Sequence, residues 1–354
     1  MKAYDTSAMN DGANKFAPEL YQEILLGNSK LSLTYDPERN FDNWRFDVNR
    51  KFRELLGMEL FKKVEPGFKK GRSEKKEFFS ETRFVFTSEE NTDVPCHLLV
   101  PLEGKAPFPV VICLQGHSTG MHISLGRPKY EGDEECIRGD RDFALQAVKE
   151  GYAALVLEQR CFGERSDMRP KDRRSFESTC QHASMVEIML GRTMAGARVW
   201  DVSKAIDMLK NFPEIDMNRI GCMGNSGGGT ITYYAACIEP RIKIAMPSCC
   251  FGTYEDSIGR IDHCVDNYIP GIMRYLEMPD LSCLIPARPL VIVAGRTDPI
   301  FPFASVKKAF EKVSVIYGKA GVPERCVLVE GDGGHRFYAK QAWAEFRRLS
   351  GWSR

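Results

Sequence analysis

Short runs of consecutive apolar residues recur along the chain from about residue 110 onward. The first run is Val110–Leu114, and similar runs follow at 153–157, 220–223, 242–246, 289–293 and 326–329. Continuous apolar runs are typical of strands that are buried on both faces of a parallel sheet. Helical patterns alternate with these runs and cover residues 140–149, 195–210, 228–237, 304–317 and 337–349. The alternation predicts an α/β fold with a mostly parallel central sheet and helices on both faces.

The chain before residue 78 has a different pattern. Apolar residues recur at helical spacing between Phe41 and Leu60, which predicts an amphipathic helix, and Asp36 followed by proline is typical of a helix start. We expect a solvated linker at the densest basic run, because acidic residues interrupt it; the run contains Lys69, Lys70, Arg72, Lys75 and Lys76. We therefore predict a helical N-terminal extension over residues 1–75, packed on a main α/β domain over residues 76–354.

A long segment between two predicted strands forms a cap-like insertion at about residues 249–285. Connections in such folds usually take ~2–6 residues, so this segment has room for structure of its own. Many of its side chains are aromatic or apolar, among them Phe251, Tyr254, Ile258, Tyr268 and Ile272. Two interpretations stay open: a cap that lines a pocket, or a pair of apolar helices that packs on the core.

The composition of the chain argues against several classes of partner and site but does not identify the function. The chain has 354 residues and a formal net charge of +1, so its bulk charge favours neither nucleic acid nor an anionic membrane as a partner. The first ten residues lack the pattern of a signal peptide, and no stretch approaches the ~20 apolar residues that cross a bilayer. We therefore expect a cytoplasmic protein whose 12 cysteines are reduced. No cysteine or histidine cluster has zinc-ligand spacing, so we expect no metal and no cofactor.

A glycine-rich turn follows the apolar run at 220–223 and precedes a helical pattern. Its residues, Gly224-Asn225-Ser226-Gly227-Gly228-Gly229, match G-x-S-x-G in the strand-to-helix setting that this motif requires. Such a turn lifts the serine hydroxyl above the sheet, and side chains at Gly224 or Gly228 would collide with the neighbouring strand and helix. The phosphate-binding motifs G-x-x-x-x-G-K-S/T and G-x-G-x-x-G do not match. Ser226 is therefore the candidate nucleophile, against the alternative of a bystander serine.

A serine hydroxyl needs a neighbouring base, and chain order selects the candidates. In the fold that carries G-x-S-x-G, an acid and then a histidine follow the serine. His263 and His335 are the histidines that come after Ser226. His335, in a glycine-rich loop after the last predicted strand, is the predicted base, and His263 is assigned to the pocket. Asp298 is the predicted acid; the alternatives are a helix-capping role for Asp298 and an acid role for Asp332.

Acyl transfer also needs hydrogen-bond donors where negative charge develops. One predicted donor of this oxyanion hole is the backbone N–H of Gly227, directly after the nucleophile. The second is the N–H of His117, with Ser118 as the next choice. Whether the His117 side chain serves the pocket or is solvated stays open. The candidate pocket residues are Gln115, Ser118, Arg160, Cys161, Phe251, Tyr254, His263 and Tyr268.

Several longer segments are similar to those of a known family. They are residues 158–165, the Gly-Arg-Thr segment at 191–196, Trp200-Asp201, the turn at 224–229 and the Pro-Ala-Arg-Pro-Leu segment at 286–290. With Asp298 and His335, they make the chain from about Phe78 onward resemble α/β-hydrolases of the acetyl xylan esterase-like and dienelactone-hydrolase-like kind. The resemblance implies the α/β-hydrolase fold and ester hydrolysis without a cofactor, often deacetylation. Gln115-Gly116-His117 stands where carbohydrate deacetylases of this kind usually carry His-Gly-Tyr, so the resemblance does not extend to sugar specificity.

Together these features predict a serine esterase that cleaves short-chain, acetyl-type carboxylic esters through an acyl-enzyme. The expected partner is a small-molecule ester, with no nucleic acid and no membrane, and the sequence is compatible with a homo-oligomer. Two rivals stay open: a peptidase of the prolyl-oligopeptidase type, which uses the same three residues, and a catalytically silent binding protein on the same fold. The repeats of the peptidase's propeller are missing from the sequence, and the complete set of catalytic residue types argues against a silent protein.

Overall fold

The computed structural model describes residues 18–166 and 178–352, and these fold around a nine-stranded sheet. The strands in chain order are β1 (Lys69–Lys75), β2 (Phe79–Glu89), β3 (Thr92–Pro101), β4 (Phe108–Leu114), β5 (Ala153–Leu157), β6 (Ile215–Asn225), β7 (Ile242–Ser248), β8 (Leu290–Gly295) and β9 (Cys326–Gly331). Their order across the sheet is β1-β2-β3-β5-β4-β6-β7-β8-β9. The neighbours from β5 through β9 are parallel, whereas β1, β2, β3 and β5 pair antiparallel.

Helices cover both faces of the sheet. They are α1 (Pro18–Gly27), α2 (Phe41–Leu56), α3 (Asp133–Cys136), α4 (Phe143–Lys149), α5 (Ser178–Met189), α6 (Met194–Leu209), α7 (Gly227–Ile238), α8 (Phe303–Lys319) and α9 (Ala339–Ser350). One core contains side chains of α2, α6, α7 and α8, and the other contains side chains of α4 and α9. Along β4, Val110 and Ile112 join the first core while Val111 and Cys113 join the second. The predicted α/β architecture is confirmed. Over the two described ranges, no helix is long and apolar enough to span a bilayer.

The predicted amphipathic helix near the N-terminus is α2. Its apolar stripe is buried in the core through Trp44, Val48, Phe52 and Leu56. The helix begins after Asn40, whose side chain accepts a hydrogen bond from the backbone N–H of Asn43 at 3.0 Å. Asp36 instead forms a turn, in which its carboxylate accepts from the N–H of Glu38 at 3.0 Å. The helix ends at Gly57, which adopts a left-handed φ of 73°.

The basic run that we expected to be a solvated linker is strand β1. The sheet therefore begins before the predicted boundary at residue 76. Lys69 and Lys75 stand opposite Val85 and Ser80 of β2 in an antiparallel ladder, and every residue of β1 is exposed. Lysines on an edge strand discourage edge-to-edge association, which explains their presence on a strand without an apolar face. Residues 1–17 of the predicted extension lie outside the described residues.

The cap-like segment at 249–285 is described throughout and contains no α-helix. Short 3-10 turns at Val265–Asn267, Ile272–Arg274 and Met278–Leu284 alternate with loops, so the predicted alternative of a helix pair is wrong. The two ends of the segment pack in the core, where Phe251 and Leu281 are fully buried. Its middle borders a cavity at the carboxyl ends of the parallel strands. The segment thus combines core packing with a cavity wall.

The contact between α2 and α6 depends on Gly196. A Cβ atom added at Gly196 would lie 2.2 Å from the backbone oxygen of Leu56, far inside contact distance. We expect Gly196→Ala to push the two helices apart and to lower the free energy of unfolding by about 1–3 kcal/mol, measured by urea denaturation. Gly318→Ala in α8 is the matched control, because nothing lies within 4 Å of its added Cβ; it should stabilise the protein by about 0.4–1 kcal/mol. Equal effects of the two substitutions would contradict this packing account.

Candidate active site

Ser226 occupies the turn between β6 and α7 in a strained conformation. Its φ of 57° and ψ of −128° lie in a region that residues other than glycine rarely adopt. Close backbone approaches hold the turn: a Cβ at Gly224 would lie 2.5 Å from the oxygen of Gly228, and a Cβ at Gly228 would lie 2.1 Å from that of Leu114. The Ser226 amide donates to the backbone oxygen of Ser248 at 2.8 Å. Glycine at both flanking positions therefore permits this packing, as the motif predicts.

Asp298 and His335 form a hydrogen-bonded pair after β8 and β9. His335 Nδ1 lies 2.9 Å from Asp298 Oδ2, and the backbone N–H groups of Ile300 and Phe301 donate to Oδ1 at 2.9 Å and 3.2 Å. Burial alone would raise the pKa of Asp298, but the hydrogen bond and charge of His335, together with the two amides, lower it. The carboxylate therefore stays ionised and orients the ring, which leaves Nε2 for chemistry. The alternative acid, Asp332, is exposed.

A cavity of about 680 Å³ lies above the carboxyl ends of the parallel strands and is lined by Ser226, Gly227 and His335. Phe301 lies nearly parallel to the His335 ring, with the ring centres 6.4 Å apart. Other parts of the wall come from the loop after β4, from α5 and from the cap-like segment. This edge of a parallel sheet is where α/β proteins bind ligands. The structure therefore brings the predicted nucleophile and the predicted base to one cavity, with the predicted acid hydrogen-bonded to the base.

The loop after β4 lies directly against the turn that carries Ser226. A Cβ at Gly116 would lie 2.8 Å from Ser226 Cβ and 3.2 Å from the backbone nitrogen of Gly227. A Cβ at Gly227 would in turn lie 3.2 Å from His117 Nδ1. The loop and the Gly227 amide thus face the same small volume. Assignment of the second oxyanion donor to His117 stays a prediction.

Gln115 holds that loop from behind and lies outside the cavity wall. Its side chain is buried, and its Nε2 donates to Ser124 Oγ and to the backbone oxygen of Arg141, both at 2.7 Å. Gln159 Nε2 donates to the backbone oxygen of Gln115. Ser118 also lies outside the cavity wall, with its Oγ buried. Neither predicted pocket residue is therefore positioned to contact a ligand in the cavity.

The His117 side chain borders the cavity and is anchored to the cap-like segment, so it is not simply solvated. Its Nε2 lies 3.0 Å from Asp266 Oδ2, and Phe162 meets the ring edge-on with the ring centres 5.2 Å apart. Burial lowers the pKa of His117, but the charge of the Asp266 carboxylate outweighs burial and raises the pKa to about 9. Arg198 Nη1 contacts the same carboxylate oxygen at 2.6 Å.

The aromatic and histidine candidates from the cap-like segment fall in three different places. His263 borders the cavity, with its Nε2 3.2 Å from Ser257 Oγ, and burial lowers its pKa. Phe251 and Tyr254 belong to the core instead, because their rings pack under α7 and are fully buried. Tyr268 is 40% exposed on a separate groove beside α1. Apart from His263, these residues cannot line the predicted pocket.

Arg160 and Cys161 lie away from the cavity as well. Arg160 Nε contacts Asp201 Oδ2 at 2.9 Å, and Arg160 Nη2 contacts Glu89 Oε2 at 2.8 Å. These ion pairs connect the loop after β5 with α6 and β2, and a buried guanidinium requires such partners. Cys161 is buried in an apolar cluster with Phe162, Cys180 and Met194. Both residues therefore have structural surroundings rather than a place in the pocket.

Ten of the residues that line the cavity were not predicted, and Phe301, Thr230 and Arg141 show why. Phe301 and Thr230 line the cavity because they are close in sequence to Asp298 and Ser226. That short sequence separation could have indicated both residues. Arg141 could not be found in this way, because the fold brings it to the site from the region before α4. Its Nη2 donates to the backbone oxygen of His335 at 3.4 Å.

Comparison with known proteins places the chain in a family. The family model described as the Abhydrolase family matches residues 25–326, a range that includes Ser226 and Asp298. The chain belongs to the Abhydrolase family. As an abhydrolase it has the α/β-hydrolase fold that the sequence predicts and that the nine-stranded sheet displays.

This abhydrolase is similar in sequence to a bacterial protein and similar in structure to several solved esterases. "Putative hydrolase YtaP" of Bacillus subtilis strain 168 is 24% identical over 245 residues, which cover 68% of this chain and 77% of that protein. The crystal structure of a putative acetyl xylan esterase (BF1801) from Bacteroides fragilis NCTC 9343 superposes with a TM-score of 0.73 at 15% identity, over 96% of this chain and 91% of the other. Acetyl Xylan Esterase 1 from Thermoanaerobacterium sp. JW/SL YS485 gives a TM-score of 0.58 at 15% identity, over 95% and 98%. Structural similarity at this level of identity shows the shared fold.

Glu158, directly after β5, is a buried carboxyl beside the site. It is 2% exposed, and its oxygens accept the backbone N–H groups of Met121 at 2.9 Å and Glu164 at 3.2 Å. Burial raises the pKa of Glu158 to about 7 from the ordinary 4.5. Because the pKa in the folded state is the higher one, the stabilising contribution of Glu158 is complete below the unfolded pKa and is lost as pH rises through the folded pKa.

We expect Glu158→Gln to remove this part of the pH dependence. Between about pH 5 and about pH 8, the free energy of unfolding of the wild type should fall by about 2–3 kcal/mol relative to that of the variant. Urea denaturation at both pH values measures the difference. Glu311→Gln is the control, because Glu311 is exposed on α8, and it should follow the wild type. A Glu158→Gln protein with the wild-type pH profile would show that burial of Glu158 is not the cause.

Proposed function

We propose that this abhydrolase is a serine esterase in which Ser226 is the nucleophile, His335 the general base and Asp298 the group that orients His335. The observation that carries this proposal is the 2.9 Å contact between His335 Nδ1 and Asp298 Oδ2, with the His335 ring in the same cavity as Ser226. The strained turn at Ser226, with its φ of 57°, supports the nucleophile role. Membership of the Abhydrolase family supports the reaction class.

Acylation begins when His335 Nε2 accepts the proton of the Ser226 hydroxyl while Oγ forms a bond to the ester carbonyl carbon. The tetrahedral intermediate then collapses, the bond to the alcohol oxygen breaks, and the alcohol leaves with the proton from His335. In deacylation, His335 takes a proton from water as that water attacks the acyl-enzyme. Ser226 Oγ leaves with that proton, and the carboxylic acid is released. Asp298 stays ionised and stabilises the imidazolium in both steps, which its lowered pKa favours.

The oxyanion of each tetrahedral intermediate is held by the backbone N–H groups of Gly227 and His117. The Gly227 amide belongs to the first turn of α7, where unpaired N–H groups and the helix dipole favour negative charge. The close approach of Gly116 to Gly227 supports a second donor from the same loop. Loss of one such donor typically costs ~2.7–4 kcal/mol of transition-state stabilisation.

The substrate that fits this cavity best is a small ester with a short, acetyl-type acyl group. The cavity wall combines the aromatic ring of Phe301 with the charged or polar groups of Arg141, Asp262 and His263. Long acyl chains need continuous apolar lining, whereas polar groups around an aromatic surface favour a small polar ligand. Structural neighbours that are acetyl xylan esterases support an acetyl ester, and the relative named "Putative esterase YitV" supports ester cleavage.

The peptidase rival has less support. Over the described ranges the strands belong to a single nine-stranded sheet, with no propeller blade beside it. The silent-protein rival requires that the close Asp298–His335 pair and the strained serine serve no reaction, although strained backbone of this kind clusters at functional sites.

Replacement of the nucleophile tests the proposal directly. We expect Ser226→Ala to lower the rate of p-nitrophenyl acetate hydrolysis by at least about 10⁴-fold, because the acyl-enzyme can no longer form. A fluorophosphonate probe should label the wild type and fail to label this variant. Ser314→Ala, about three turns into helix α8 and outside the cavity wall, is the control and should keep both activity and labelling. A Ser226→Ala protein with wild-type hydrolysis would reject Ser226 as nucleophile, and a preference for a peptide amide would favour the peptidase.

Acyl length is the second test. Across p-nitrophenyl esters of increasing chain length, kcat/KM should be highest for acetate and should fall as the acyl group lengthens, because the charged and polar groups of Arg141, Asp262 and His263 interrupt the apolar part of the wall. Acetylated sugars measured beside these esters show whether a carbohydrate alcohol is accepted. Highest kcat/KM for a long-chain ester would contradict the acetyl-type assignment.

A further inference from the structure

A cluster of potential metal ligands lies beside the proposed active site, and the esterase reaction does not use it as such. His117, Cys180, Cys264 and Asp266 each offer one ligand atom, and these atoms lie within 4.8 Å of one another. Bond lengths of ~2.0–2.3 Å to Zn²⁺ correspond to a tetrahedron with edges of roughly 3.3–3.8 Å. Small side-chain adjustments would therefore let the four atoms surround one ion.

Two polar atoms in this cluster lack an ordinary partner. His117 Nε2 forms an ion-pair contact of 3.0 Å with Asp266 Oδ2, an oxygen that Arg198 Nη1 also contacts, but Nε2 has no hydrogen-bond partner of good geometry among the described residues. Asp266 Oδ1 is buried and has no hydrogen-bond partner among the described residues, and the Asp266 side chain is only 1% exposed. Buried polar atoms without a partner are rare and need an explanation. An ion between the imidazole and the carboxylate would satisfy both groups.

The charges around the cluster balance a divalent cation. With both cysteines as thiolates and His117 neutral, the four donors carry three negative charges. Zn²⁺ supplies two positive charges and the buried Arg198 supplies the third. Arg198 Nη1 lies 2.6 Å from Asp266 Oδ2, and Arg198 Nη2 lies 3.5 Å from Cys180 Sγ. The occupied site is therefore neutral as a whole, which removes the main cost of burying charge.

We propose that His117, Cys180, Cys264 and Asp266 bind one structural Zn²⁺ ion. Thiolate and imidazole donors in a tetrahedral arrangement favour zinc, whereas Mg²⁺ and Ca²⁺ require oxygen ligands. Zn²⁺ takes the place of the His117 proton. Four protein ligands fill the coordination sphere, so no position is open for a reacting water and the ion takes no part in ester cleavage. The ion instead connects the loop after β4, helix α5 and the cap-like segment.

Metal binding by the full-length protein tests this inference independently of the proposed esterase function. The protein is purified with a non-thiol reductant, dialysed against a weak chelator, and analysed for metal by inductively coupled plasma spectrometry. We expect one Zn²⁺ per chain. Cys180→Ser and Cys264→Ser should each weaken zinc binding by at least ~100-fold, beyond the ~10–100-fold loss that follows removal of an outer-sphere partner. Cys136→Ser in α3 is the matched control and should bind zinc as the wild type does.

Cobalt substitution reports the geometry of the site. Co²⁺ in the wild type should give the intense visible bands of a tetrahedral complex together with a near-ultraviolet thiolate charge-transfer band, and Cys264→Ser should lose both. Ser226→Ala should bind Zn²⁺ and Co²⁺ as the wild type does, so failure of the esterase proposal and failure of this one are distinguishable. Substoichiometric zinc after dialysis, unchanged zinc binding in the two cysteine variants, or a Cys180–Cys264 disulfide that persists in the presence of the reductant would overturn the proposal.

Discussion

The close approach of two loops at the ends of β4 and β6 is the constraint on which the site depends. Leu114 and Gly224 pair in the parallel ladder, so the chain leaves both strands at the same level. A Cβ atom at Gly228 would lie only 2.1 Å from the backbone oxygen of Leu114, and a Cβ at Gly116 only 2.5 Å from that of Asn225. Because backbone packs on backbone here, the proposed nucleophile and both proposed oxyanion donors are positioned by the main chain. Such a site is preorganised before any substrate arrives.

The predictable parts of this protein are those in which a local pattern has one physical meaning. A run such as Val110–Leu114 predicts a strand with both faces covered, and its residues are fully buried on both faces. The G-x-S-x-G motif predicts a strained backbone at its serine, because this motif places the serine on a sharp strand-to-helix turn. Asp298 and His335 could be chosen because the chain order of this fold brings the ends of β8 and β9 to the same edge of the sheet as β6. Strand β1 lacked any such pattern, since an exposed edge strand has no apolar face to alternate.

The pocket residues were predicted poorly, because an aromatic residue in the sequence can belong either to the core or to the cavity wall. Tyr254 looks like a pocket residue in the sequence, yet its hydroxyl lies 2.7 Å from that of Tyr234 inside the core. In the sequence, Arg160 resembles a ligand-binding cation. Its ion-pair partners Asp201 and Glu89 come from distant parts of the chain, so residue spacing could not predict these contacts. The two cysteines, the histidine and the aspartate of the proposed zinc site were missed for the same reason. Zinc-ligand spacing recognises ligands that are near one another in sequence, whereas here α5, the cap-like segment and the loop after β4 supply them.

His117 has a side-chain contact in addition to the proposed role of its backbone N–H as an oxyanion donor. The preceding residue, Gly116, packs against the Ser226 turn, while the ring of His117 lies near Gly227 and reaches Asp266 of the cap-like segment. Asp266 is held by Arg198 of α6, whose Nη2 also donates to the backbone oxygen of Arg160 at 2.8 Å. A displacement of the cap-like segment would therefore move the proposed oxyanion donor through one buried set of charges. A tyrosine at this position, as in the His-Gly-Tyr pattern, offers the same backbone N–H but no imidazole nitrogen for Asp266. The departure from that pattern thus gives the loop after β4 a contact to Asp266 that a tyrosine ring could not make through an imidazole nitrogen.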